Sequence, residues 1–239
     1  MIARMTTDRA PRHAKVQARR WPARESPETA EGDDASTISE LTDVAKACRR
    51  CPLWRNATQT VFGEGPDSAK VIFVGEQPGD QEDLAGKPFV GPAGKVFDAI
   101  LDDAGVDRLK VYVTNAVKHF KFEPRGKRRL HAKPNTQEIQ ACNWWLGQEL
   151  EHVKPRLVIA LGATAARAVL GRAVTISSVR GVATPLLDNR DAWVTIHPSY
   201  LLRIPDEVQQ RAEYARFVQE LEAARDWLQA RPSRESSGP

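Results

Sequence analysis

Cysteine is scarce: the chain of 239 residues has three, Cys48, Cys51 and Cys142. A small, odd set in a chain of this size excludes a disulfide framework and leaves metal or cluster ligation as the question the thiols raise. Long apolar runs are missing too. No stretch approaches the roughly 18 residues that a bilayer-crossing helix needs. The opening MIARMTTDRAPRHAKVQARRW holds no apolar core of a secretory signal, so the expected location is the cytoplasm. No internal repeat with a fixed period is visible. The glycine-rich segment at 75–94, GEQPGDQEDLAGKPFVGPAG, has neither the Lys-Ser/Thr ending of a phosphate loop nor G-x-G-x-x-G spacing.

What is present is an ordinary globular composition, 41% hydrophobic, enough to bury one sizeable core. Net charge is only +4, yet the pI is about 9.0. Cations cluster at Arg49-Arg50 and at Lys127-Arg128-Arg129, a lean toward a polyanionic partner that solvated basic loops also show. Residues 1–38 carry almost no apolar periodicity and read as a disordered charged tail, basic first and acidic second. A solvated extension is the plain reading of that tail, and an Arg-rich transit peptide is the other. Residues 39–230 form the expected single domain, and 231–239 a disordered end. No apolar helical stripe demands a partner, so a monomer is expected.

Four short apolar runs stand between turn residues: VIFVG (71–75), VYVTN (111–115), LVIALG (157–162) and AWVTIH (192–197). They alternate with helical patterns near 94–104, 136–152, 163–170 and 206–229. Buried runs separated by helices imply an α/β fold, a three-layer α/β/α sandwich on a mostly parallel four-stranded sheet. Such sheets bind ligands beyond the carboxyl ends of their strands. Those ends lead into GEQPGDQED, NAVKHF, GATA and HPSYLLR, and all but GATA are dense in polar groups.

The segment at 75–94 is a shaped loop made acidic by Glu76, Asp80, Glu82 and Asp83. Asp80 and Glu82 are read either as site carboxylates or as caps of a turn. Phe89 is a stacking platform for a flat ligand or a core residue. His131 sits in the basic stretch GKRRLHAKP, where a phosphate-gripping loop and a loop built to present a histidine both fit.

Taken in order, CRRC, GEQPGDQEDLAGKPFVGPAG, TNAVKHF, Cys142 and HPSYLLR resemble the uracil-DNA glycosylase superfamily, in particular its iron–sulfur branch, family 4. The KRRLH stretch, with His119 where family 4 enzymes carry a cysteine, resembles the UdgX class within it. The resemblance runs from about Ala47 to the last helix. It implies a base-flipping enzyme acting on uracil in single- or double-stranded DNA.

On that resemblance each motif takes a role. Asn115 offers an amide donor and acceptor that suit O4 and N3–H of uracil. Phe89 stacks on the base, with Gln77 and Asp80 shaping the pocket. His197 lies at O2 and stabilises the charge that develops as the C1′–N1 bond breaks. Tyr200 or Leu201 fills the gap left by the flipped nucleotide. Lys127, Arg128, Arg129 and Ser199 contact the DNA backbone, and Arg203 grips phosphate or supports the site, although YLLR also reads as the start of the last helix. The implied cofactor is a [4Fe–4S] cluster on Cys48, Cys51, Cys142 and His119; the alternatives are zinc on the same residues, or a cluster completed by another group or solvent in place of His119. His131 of KRRLH is implied to bond C1′ of the abasic sugar, assisted by Glu76, ending the reaction after one turnover. The surrounding cations would keep its imidazole neutral, as a nucleophile must be.

Overall fold

The computed structural model describes residues 35–186 and 190–231; the two charged tails assigned from the sequence lie largely outside this range. Ile38, placed at the end of the N-terminal tail, instead opens helix α1 (Ile38–Ala45), where Thr37 and Glu40 form a reciprocal capping box.

Strands β1 (Val71–Gly75), β2 (Tyr112–Asn115), β5 (Leu157–Leu161) and β7 (Asp191–Thr195) form the parallel body of one sheet, in the order β2-β1-β5-β7. All four lie where the apolar runs predicted them. The expected count of four is short by one, because β6 (Ala183–Pro185) adds an antiparallel edge beside β7. At three residues, ending in proline, it leaves no hydrophobic run to read. At the opposite edge, Glu64 exchanges both backbone hydrogen bonds with Val113 of β2, at 2.9 and 2.8 Å.

Alternation along the strands builds two cores. Ile72, Val74, Val158, Ala160, Ala192 and Val194 face α1, α4 (Thr136–Val153) and α5 (Ala163–Leu170). Phe73, Val113, Leu157, Ile159 and Trp193 face α3 (Pro92–Asp103) and α8 (Glu207–Ala230). With both faces covered, the strands are apolar along most of their length, which is why they read as near-continuous apolar runs. Helix α4 starts where Asn135 and Glu138 cap each other and stops at Lys154, which adopts a left-handed conformation with φ 49°.

The chain passes from β1 outward to β2, then crosses back to β5 and β7. The direction of travel therefore reverses between β1 and β5, where open parallel sheets leave a crevice. Over it stands an element absent from the sequence reading. The stretch that looked like a long basic loop is a hairpin of β3 (Phe122–Arg125) and β4 (Arg128–His131), turned at Gly126, whose φ of 59° suits glycine. Among the described residues no helix is long and apolar enough to cross a membrane.

Candidate functional site

A cleft of about 1040 Å³ opens over the carboxyl ends of the strands, lined among others by Glu76, Phe89, Asn115, His131 and His197. A smaller apolar cavity of about 610 Å³ lies at the other end of the strands, near Val71 and Leu157, away from every candidate residue.

The floor is shaped by close approach. A Cβ on Gly75, the last residue of β1, would meet Asn115 Oδ1 at 2.3 Å and the Phe89 ring at 2.7 Å. Glycine there lets the amide and the ring converge. Phe89 holds a left-handed backbone, φ 56°, uncommon for a bulky residue and found chiefly where a site demands it. Its ring packs on Phe97 at 5.0 Å and faces His197 at 6.0 Å, so it is core on one side and cleft wall on the other. Glu82 ties the two ends of this loop, accepting from Gly79 N at 3.0 Å and Gly91 N at 2.8 Å.

His197 caps α7 (Pro198–Leu201). Burial first, then Arg203 and His131, lower its pKa to about 4, so the ring is neutral near pH 7. The backbone N–H of Ser199 donates to Nδ1 at 3.2 Å, with Ser199 Oγ also at 2.8 Å. Because Nδ1 accepts, the single proton of the neutral ring belongs on Nε2, which makes that nitrogen a donor. Ser199, expected at the DNA backbone, here holds His197, and Arg203, read as gripping phosphate or supporting the site, supports it: its Nη1 donates to Ser199 Oγ at 3.2 Å. Tyr200 (38% exposed) and Leu202 (50%) stand at the cleft rim, whereas Leu201 is buried in the core at 2%.

The hairpin delivers His131. Strand alternation turns Arg129 and His131 to one face and Arg128 and Leu130 to the other. Arg129 Nε reaches Asp80 at 2.6 Å and its Nη1 reaches buried Asp83 at 2.5 Å, while the guanidinium lies over Phe120 and Phe122. Of the three cations in KRRLH, Arg129 is thus occupied within the protein, and so is the Asp80 carboxylate. Lys127 and Arg128 are exposed. Gln77 lashes the hairpin root, donating to Lys121 O and Ala132 O at 3.1 Å each and accepting from Lys121 N at 3.3 Å. Its side chain is spent there, leaving its backbone to line the cleft. His131 Nε2 then lies 3.4 Å from Glu76 Oε1, so the charged group in contact with its ring is a carboxylate, not one of the expected cations.

Removing the latch should be measurable. Arg129→Ala is expected to cost about 1–3 kcal/mol in urea unfolding, the scale of lost hydrogen bonds to a charged group. Faster protease cleavage at the hairpin should accompany it. Arg129→Lys should not rescue, because a point charge cannot span both carboxylates.

Three thiols gather on the opposite side of the Lys118-His119 turn. Burial, then the neighbouring Cys51, pushes the Cys142 thiol up to about 12, and burial raises Cys51 as well. Lys118 N–H donates to Cys142 Sγ at 3.2 Å, and Trp145 Nε1 to Cys48 Sγ at 3.1 Å, contacts that suit thiolates. His119 Nε2 contacts Thr60 Oγ1 at 3.1 Å, but its buried Nδ1 has no partner. Burial holds that ring's pKa near 4, hence neutral and able to ligate. Among the described residues no three His, Cys, Asp or Glu side chains are arranged to hold a single metal ion.

Sequence reasoning missed two contributors. Thr164, in the apparently featureless GATA segment, donates its hydroxyl to Glu76 Oε2. Lys118, fully buried, donates to Asn115 O at 2.8 Å and pairs with Glu149 at 2.6 Å. Lys118 stands three residues beyond the candidate amide, a spacing that could have marked it.

Fold and cleft together define an α/β protein of the parallel-sheet type. Its strand-end pocket pairs an aromatic wall with a buried amide, a neutral histidine donor and a carboxylate, a set suited to a planar heterocycle. The family model of the uracil DNA glycosylase superfamily matches residues 62–222, and the chain belongs to that superfamily. It is 39% identical over 172 residues to the Type-4 uracil-DNA glycosylase of Thermotoga maritima, covering 70% of this chain and 86% of that one. The Type-4 enzyme of Pyrobaculum aerophilum is 37% identical over 178 residues with the same coverage. A Type-5 uracil-DNA glycosylase of Pyrobaculum aerophilum is 34% identical over 142 residues.

Proposed function

We propose that this protein excises uracil from DNA and then captures the abasic sugar through His131. The observation that carries the second half is the latched hairpin, which sets an exposed imidazole at the cleft, 3.4 Å from Glu76. The first half draws support from the relatives, named as uracil-DNA glycosylases, and from the pocket.

The substrate nucleotide leaves the stack, because the glycosidic bond is out of reach inside DNA. Phe89 stacks on the base while Asn115 reads O4 and N3–H. Tyr200 and Leu202 border the vacated space, and Lys127 and Arg128 meet phosphates. As the C1′–N1 bond breaks, its electron pair goes to uracil, and the Nε2–H of His197 stabilises the charge growing on O2. Donors already oriented in a partly buried site need no reorganisation at that moment, which is where electrostatic catalysis gains most. The sugar becomes an oxocarbenium ion facing Glu76. The reaction uses the unprotonated form of His131, whose Nε2 lone pair then forms the N–C1′ bond, and the resulting imidazolium sheds its Nδ1 proton to solvent. The neutral N-substituted imidazole left after that proton departs is a poor leaving group, so the bond persists and the enzyme stops after one turnover.

Cys48, Cys51, Cys142 and His119 Nδ1 are the assigned ligands of a [4Fe–4S] cluster. Three buried thiols and one orphaned imidazole nitrogen fit that donor set, with zinc on the same residues as the alternative. The cluster would staple the N-terminal segment to α4 and supplies no step of the reaction.

A second reading is favoured by the names of the relatives: a Type-4 enzyme that turns over. Incubating the purified protein with a uracil-containing oligonucleotide separates the two. Self-trapping predicts one uracil released per protein and a band that survives heat and detergent on a denaturing gel. Multiple turnovers without that band would establish the second reading. Neither uracil nor band would point to a non-catalytic DNA-binding module. Iron and acid-labile sulfide analysis of the same sample tests the cluster.

A further inference from the structure

Thr164 is the second residue of α5 and is 7% exposed. Its hydroxyl donates to one oxygen of Glu76, whose other oxygen faces His131 Nε2 at 3.4 Å. Glu76 follows β1 and Thr164 follows β5, which are paired neighbours in the sheet. The bond therefore spans the crevice between the two strand ends, inside the cleft, and joins its floor to the hairpin above.

A glutamate at a loop position has three torsions, the last of them broad, so its carboxylate does not face one way on its own. A hydrogen bond to an ionised acceptor is strong enough to settle the matter. Threonine suits this task better than serine, because its branched Cβ restricts χ1 on a helix. As the second residue of α5, Thr164 has no carbonyl of a preceding helical turn to bond back to. Here it reaches across to Glu76 instead.

We propose that Thr164 is a positioning residue that sets the direction of the Glu76 carboxylate and thereby how efficiently His131 captures the sugar. This rests on the self-trapping reading. The hydroxyl does not touch substrate; it acts through Glu76 Oε2, leaving Oε1 turned to the sugar cation and to His131. Replacing it with a second methyl group keeps the side chain's shape and frees the carboxylate to rotate. Capture should suffer more than base release, since release depends chiefly on His197 and Asn115.

The test compares Thr164→Val, which keeps the shape, with Thr164→Ser, which keeps the hydroxyl. Both are run under single-turnover conditions on a uracil-containing oligonucleotide, recording free uracil and DNA adduct separately. Thr164→Val is expected to slow adduct formation by about tenfold, the scale of one hydrogen bond to a charged group, with a smaller effect on uracil release. Thr164→Ser should stay within about threefold of wild type. In a Glu76→Ala background, where no side-chain oxygen is left to orient, Thr164→Val should add no further loss, a dependence that a purely structural role would not show. Equal slowing of both products, or the same loss in both backgrounds, would overturn the proposal, as would a valine variant indistinguishable from wild type. If valine lowers the melting temperature enough to unfold the chain, Thr164→Ala is read instead. Should wild type release uracil without any adduct, the self-trapping reading fails by itself. Thr164 is then judged on uracil release, where the same Val, Ser and Glu76→Ala pattern must hold.

Discussion

Replacing His131 with alanine should abolish the denaturation-resistant DNA adduct while free uracil still appears, at a rate within about tenfold of wild type. That bound is the scale of one lost electrostatic contact to the sugar cation. The split follows from which groups act before the bond breaks. His197, neutral and carrying its proton on Nε2, and the buried Asn115 amide both serve the leaving base; His131 is the least of the three influences that keep His197 neutral, after burial and Arg203, so its loss leaves that ring's role in place. Once the base has left, the alanine variant offers water a path to the cation and turnover resumes. A variant that neither traps nor releases uracil would mean that His131 acts before bond cleavage. One that still traps would move the nucleophile elsewhere in the cleft.

The largest expected loss of stability belongs to Lys118→Met. The ammonium is fully buried and makes three bonds, to Thr114 Oγ1 at 2.6 Å, Asn115 O at 2.8 Å and Glu149 Oε2 at 2.6 Å. Glu149 in turn accepts from Gly63 N, Tyr112 Oη and Thr114 Oγ1. Cutting one side of a buried pair strands the other charge, which costs roughly 3–5 kcal/mol, a large share of a typical domain's total stability. Adding Glu149→Gln should recover much of it, since the amide oxygen still accepts while the orphan charge disappears. Urea unfolding of the single and double variants measures both. A double variant no more stable than Lys118→Met would show that packing, rather than the stranded charge, carries the loss.

The sheet was legible because burial on both faces leaves an unambiguous signature: VIFVG and LVIALG lack any polar position that would blur their ends. The four main helices were legible from their periodicity. The hairpin was not. Its strands hold Pro124 and a run of cations, with only Phe122 and Leu130 as apolar members, so composition pointed to a loop. That omission matters for function, because pairing Phe122 with His131 fixes which side chains share a face. Charge alone could not say that Arg129 serves Asp80 and Asp83, or that Arg203 serves Ser199, instead of phosphate. An arginine looks the same in sequence whether its carboxylate or phosphate partner lies inside the protein or across an interface. Thr164 was missed for a related reason: a lone hydroxyl among alanines acquires meaning only when β1 and β5 lie side by side.

The two borders of the sheet bear on a different matter, the behaviour of the chain at high concentration. An open edge strand is a template on which another chain can add. At β2 that template is interrupted, since Val113 has already exchanged both backbone bonds with Glu64. At the other border β6 is three residues long and ends at Pro185, whose nitrogen has no hydrogen to donate. A protein built on a mostly parallel sheet thus presents little backbone for sheet-to-sheet growth, so crowding should not drive it toward fibrous stacking through either border.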